Sequence, residues 1–120
     1  MATGTTRGVR FGLTRLESVG VGLAAVTAVI HLALGLGALG TPFGVPFLLA
    51  AAGFAAGIAA AVRGYRRRLV YLLGVPFTLG QIALYFALNW PDVASPVGLF
   101  DKAVQAALVV VLVVLYEREA

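Results

Sequence analysis

Four stretches of about twenty residues, almost free of charge, decide what this chain can become. They run from about Ser18 to Leu39, from Phe43 to Val62, from Leu69 to Leu88 and from Val97 to Tyr116. As helices rising 1.5 Å per residue, each is roughly 30 Å long, the thickness of a hydrocarbon core. The blocks are continuously apolar and lack the alternation of membrane-barrel strands, which excludes a β-barrel. A soluble globule is excluded too. Of 120 residues, 61% are hydrophobic and 12% charged, against roughly half and a quarter in soluble domains, and so short a chain has too little interior to hide the excess. The absence of cysteine removes disulfides, thiolate metal sites and thiol nucleophiles.

The fourth block is the least clean, because Asp101 and Lys102 leave only Ala103 to Tyr116 free of charge. It spans if both charges lie near one interface and Lys102 snorkels outward along its aliphatic stem. Charge placement then predicts topology. Arg7, Arg10, Arg15 and Glu17 give the amino-terminal segment a net +2, and Arg63, Arg66, Arg67 and Arg68 give the link between spans two and three +4. The other links are neutral or acidic. The positive-inside rule places both termini and the arginine loop in the cytoplasm. Trp90, Tyr65 and Tyr116 read as interfacial anchors. The first block is longer than a signal-peptide core and is read as a retained helix. The arginines lack the aromatic interleaving of a nucleic-acid platform, so their expected partners are lipid headgroups.

The links GTP, RGYRRR and NWPDVASP are short enough to allow only antiparallel neighbours. The predicted fold is therefore an all-α, integral membrane four-helix up-and-down bundle. It forms a single domain over 13–116, with polar tails at 1–12 and 117–120. Span two carries Gly53 and Gly57 as GxxxG beside Ala52, Ala56 and Ala60, a face suited to close helix packing inside the bundle or in a dimer. Pro76 removes a backbone donor from span three and predicts a kink there.

Polar residues at depth carry the functional signal. Glu17, Ala24 and His31 repeat every seven residues on span one, with Gly20 and Thr27 interleaved. Tyr71, Gly74, Thr78, Gln81, Tyr85 and Leu88 follow the same alternation on span three, and Asp101 and Gln105 lie one turn apart on span four. Such stripes face protein rather than lipid. Counted along their helices, His31, Gln81, Tyr85, Asp101 and Gln105 fall in one layer, in the outer half of the bilayer. Imidazole, amide and carboxylate together suit proton transfer, a polar ligand, or interhelical hydrogen bonding that only specifies packing. One histidine and no cysteine make no zinc site, and a haem needs His31 from two copies of the chain. Ser18 and Ser95 lie too far from His31 to form a nucleophile–base pair, and no cofactor is expected.

The runs RLESVGVGLAAVTAVIHLALGLGAL, GYRRRLVYLLGVPFT, QIALYFALN and DKAVQAALVVVLVVLYERE resemble an uncharacterised family of small four-span membrane proteins from halophilic archaea. The resemblance extends from Arg10 onward and implies an archaeal plasma membrane as the location, without supplying an activity. The expected role is a non-enzymatic structural or accessory subunit that meets lipids and other membrane proteins or a second copy of itself. The alternatives are a small transporter or channel with the polar layer as its site, and a haem- or quinone-binding redox subunit.

Overall fold

A computed structural model describes residues 13–119. The expected tail 1–12, with Arg7 and Arg10, and the last residue of the expected tail 117–120 lie outside the described residues. Four helices account for most of the rest: α1 (Arg15–Gly37), α2 (Gly44–Val62), α3 (Arg67–Asn89) and α4 (Pro96–Arg118). All four are long and apolar enough to cross a membrane.

The helix ends follow local chemistry. Thr14 caps α1 by accepting the Glu17 N–H, and the Glu17 carboxylate accepts the Thr14 N–H in return, so α1 starts ahead of its charge-free stretch. The Ser95 hydroxyl accepts the Gly98 N–H, and Pro96 occupies the first turn of α4, where no backbone donor is needed. Arg67 at the start of α3 reaches back and donates from Nε to the Ala61 carbonyl near the end of α2, at 2.8 Å. Helix α3 continues unbroken through Pro76.

The helices alternate in direction, with the arginine loop, the amino end of α1 and the carboxyl end of α4 at one end of the bundle. Helix α1 packs on α2 and α4, and α3 packs on α4, whereas α2 and α3 scarcely touch although only four residues join them. The antiparallel ring expected from the short links is thus open along one side. At the opposite end the α1–α2 turn is tight. A Cβ on Gly44 would stand 2.8 Å from the Ala38 carbonyl oxygen, which is backbone and cannot swing away. Gly44→Ala is expected to cost about 1–3 kcal/mol, measurable as a lower midpoint when helicity is followed through a detergent-to-SDS titration.

The interior is divided into two storeys. Towards the arginine end, Phe54, Tyr71, Leu108, Leu112 and Leu115 form an apolar core. Towards the other end the buried residues include Thr27, His31, Asp101, Lys102 and Gln105. Large apolar side chains such as Val29, Leu49, Leu73 and Val110 are exposed. Polar groups inside and apolar groups outside invert the soluble pattern and fit a multi-pass membrane protein, whose outer surface is solvated by hydrocarbon.

Candidate functional site: a buried ionic layer

Helical periodicity builds the polar layer. Thr27 and His31, one turn apart, share the buried face of α1; Asp101, Lys102 and Gln105 lie within four residues on α4; and Gln81 projects from α3. The α4 residues begin roughly 8 Å from that helix's amino end and His31 lies about 9 Å from the end of α1, so all sit in the half of the bundle distal to the arginine loop.

Thr27 is the hub. Its hydroxyl donates to Asp101 Oδ1 at 2.6 Å and accepts from Gln105 Nε2 at 3.2 Å. The second Nε2 proton of Gln105 goes to Gln81 Oε1 at 2.9 Å, and Gln81 Nε2 donates to the Phe77 carbonyl one turn back. Lys102 Nζ lies 2.9 Å from Asp101 Oδ2, donates to Gln105 Oε1, and sits 5.4 Å from the centre of the Tyr85 ring. The ammonium thus meets a carboxylate, an amide oxygen and an aromatic face.

His31 closes the layer. Nδ1 is 2.8 Å from the Thr27 carbonyl, which can only accept, so this nitrogen carries a proton. Nε2 then points towards Asp101 Oδ2 at 4.0 Å, within ion-pair range and beyond a hydrogen bond. The rings of Phe47 and Phe54, each 5.9 Å away between centroids, wall the imidazole on the α2 side.

Of the residues read from sequence, the structure brings His31, Gln81, Asp101 and Gln105 together. Tyr85 stands at the margin: its hydroxyl donates to the Val93 carbonyl in the α3–α4 link at 2.7 Å, and only its ring face meets the layer, through Lys102. Two members were missed. Thr27 was seen as part of the stripe but not as a site residue. Lys102 was expected to snorkel outward; instead it is 9% exposed and folded inward, because Asp101 beside it offers a charge that the rim does not. Leu88, placed on the inward stripe of α3, is exposed. Gln81→Leu should remove one interhelical bond and strand one Gln105 proton, a loss of about 1 kcal/mol in the SDS titration.

A second polar centre ties the arginine end. Tyr71 donates to Glu17 Oε2 at 3.0 Å, and Arg67 Nη1 lies 3.9 Å from the same oxygen. Of the basic loop, Arg67 is therefore internal and structural. Arg68 lies over the Tyr116 ring at 4.4 Å, while Arg63 and Arg66 are exposed. No group of three or more metal-ligating His, Cys, Asp or Glu side chains occurs among the described residues. Ser95 is committed to its cap and Ser18 belongs to the arginine end, so neither pairs with His31.

A cleft of about 80 Å³ lies on the α2/α3 side and reaches in to α1 and α4, walled mainly by apolar side chains and glycines. Gly53 and Gly57 face it: a Cβ on Gly53 would strike the Phe77 ring at 2.4 Å, so the GxxxG face admits a side chain of α3 within the same chain. The cleft reaches Thr78, one turn below Gln81, but none of His31, Gln81, Asp101, Lys102 or Gln105 lines it.

No curated protein and no solved structure matches the chain. A model for a family of unknown function, DUF7475, matches residues 6–116, and with nearly the whole sequence covered the chain belongs to that family.

Proposed function

We propose that this protein is a non-enzymatic, multi-pass subunit of the cell membrane that serves as a structural or accessory packing partner for other membrane proteins. The observation that supports it is the saturation of the polar layer: Thr27, Asp101, Lys102, Gln105 and Gln81 satisfy one another, and the cleft does not open onto them. A buried network bonded largely to itself specifies one helix arrangement, and His31 Nε2, 4.0 Å from Asp101, is the ring nitrogen it leaves without a hydrogen bond. The arginine loop and both termini face the cytoplasm in this reading, supported by the charge asymmetry between the two ends. The halophilic archaeal setting belongs to the same proposal and is supported by the resemblance alone.

A second reading, a small transporter, is favoured by one feature. An Asp–Lys pair with a histidine 4.0 Å from the carboxylate is costly to keep within a membrane, and ionisable groups there commonly mark ion pathways. Two measurements separate the readings. Affinity purification of the tagged chain from its native membrane should bring down other membrane proteins in fixed ratio, and recovery of the chain alone overturns the subunit reading. In reconstituted vesicles the subunit reading expects proton flux no greater than in empty vesicles. A flux abolished by His31→Ala establishes transport instead.

A further inference from the structure

We propose that the α2/α3 cleft holds one hydrocarbon chain of an anionic phospholipid whose phosphate rests on Arg63 and Arg66. The proposal stands whether or not the protein is a subunit of anything larger.

The cleft has a floor and a roof. At the arginine end, Arg67, Glu17 and Tyr71 close it through the Ala61 carbonyl and the shared carboxylate. At the other end the Phe77 ring lies over Gly53. Between them no side chain fills the gap beside Gly57, where a Cβ would meet only Val70, in ordinary contact at 3.9 Å. From Ala61 to Gly53 the open stretch is about 12 Å tall. An occupant must therefore be thin and apolar. A helix about 10 Å across with its side chains is too thick for it, whereas a single lipid chain fits and recovers dispersion contacts that the parted helices do not make with each other.

Charge selects the headgroup. The loop that joins α2 to α3 follows just after Ala61, the last α2 residue to line the cleft, and its Arg63 and Arg66 are exposed, with no carboxylate within ion-pair distance among the described residues. Two guanidinium groups at the end of an apolar slot complement a phosphodiester whose chain enters from the side. Each arginine near a membrane surface should improve anionic over zwitterionic lipid by about fivefold.

The test uses the full chain in a non-ionic detergent, with phosphatidylglycerol and phosphatidylcholine of identical chains added in turn and retention read by native mass spectrometry. One phosphatidylglycerol should be retained per protein, about tenfold or more above phosphatidylcholine. Arg63→Gln with Arg66→Gln should abolish the preference, and Gly57→Leu, which fills the opening, should abolish retention of both lipids while helicity is unchanged. A phosphatidylglycerol with a diazirine on its acyl chain should label the wild type at Gly57, Ile58, Val70 or Gly74. This last readout needs no variant to fold. Thr78→Val should bind as the wild type does, because a hydrocarbon chain asks nothing of that buried hydroxyl, which has no partner in the structure. Equal retention of the two lipids, labelling confined to outward residues such as Val29 and Leu49, or loss of binding in Thr78→Val overturns the proposal. The last outcome points instead to an occupant that hydrogen-bonds to the Thr78 hydroxyl.

Discussion

Asp101→Ala is expected to lower stability by about 3 kcal/mol or more, the largest effect of any single side-chain truncation in the polar layer. The variant strips Lys102 of the carboxylate 2.9 Å from its ammonium and takes the acceptor from the Thr27 hydroxyl, leaving a charge in a region built for a neutral pair. Insertion scales put an isolated charge near a bilayer centre at about 2.5–3.5 kcal/mol, a separate estimate of similar size. Lys102 has one escape, to swing its stem outward to the rim, which forfeits Gln105 and the Tyr85 face and so recovers only part of the loss. Lys102→Met should cost a similar amount by orphaning Asp101. The decisive variant is the double, Asp101→Leu with Lys102→Met, which removes both charges and should be closer to the wild type than either single. The cycle is checked by helicity in mixed dodecyl maltoside and SDS. Losses that simply add would mean the pair is not coupled.

The same helix shows where sequence reasoning reached its limit. Heptad spacing identified the buried faces of α1 and α3, because a helix in lipid has only one place to put Thr27, His31, Thr78 and Gln81. Depth counted at 1.5 Å per residue brought His31, Gln81 and Gln105 to one level, since antiparallel helices of similar length joined by short links keep their register. The direction taken by Lys102 was not legible. A four-carbon stem reaches either the rim or the core, and the choice depends on Asp101, Gln105 and Tyr85 arriving together from two helices. The role of Thr27 as hub was not legible for a related reason. A hydroxyl becomes a hub by donating and accepting at once, which only the placement of Asp101 and Gln105 around it reveals. The gap between α2 and α3 had no signal either, because a short link fixes the ends of two helices and not the distance between their middles. The GxxxG face did point towards close approach, and what approaches is the Phe77 ring rather than a helix backbone.

Glu17→Leu should be the second most damaging change, at about 2–4 kcal/mol, although the sequence shows Glu17 as one acid among arginines at a membrane surface. In the fold it is 6% exposed and carries three separate tasks. Its carboxylate accepts the Thr14 N–H in the capping box, accepts the Tyr71 hydroxyl from α3, and pairs with Arg67, which also donates to the last turn of α2. Leucine keeps the volume and removes all three. Loss of the reciprocal cap accounts for about 1 kcal/mol, and the buried Tyr71 hydroxyl, left without an acceptor, for about 1–3 kcal/mol more. Graded variants separate these contributions. Thr14→Ala should lose only the cap, and Tyr71→Phe should cost less than Glu17→Leu because it removes donor and orphan together. Glu17→Gln should fall between, since an amide oxygen still accepts from Thr14 or Tyr71 while the attraction for Arg67 is gone. If Glu17→Leu unfolds at the same SDS fraction as Thr14→Ala, the contacts to α3 contribute nothing and the arginine end is held by the apolar core alone. If it falls well below, a carboxylate in the first turn of α1 fastens α1 directly to α3 and, through Arg67, to α2, on the side where α2 and α3 barely touch each other.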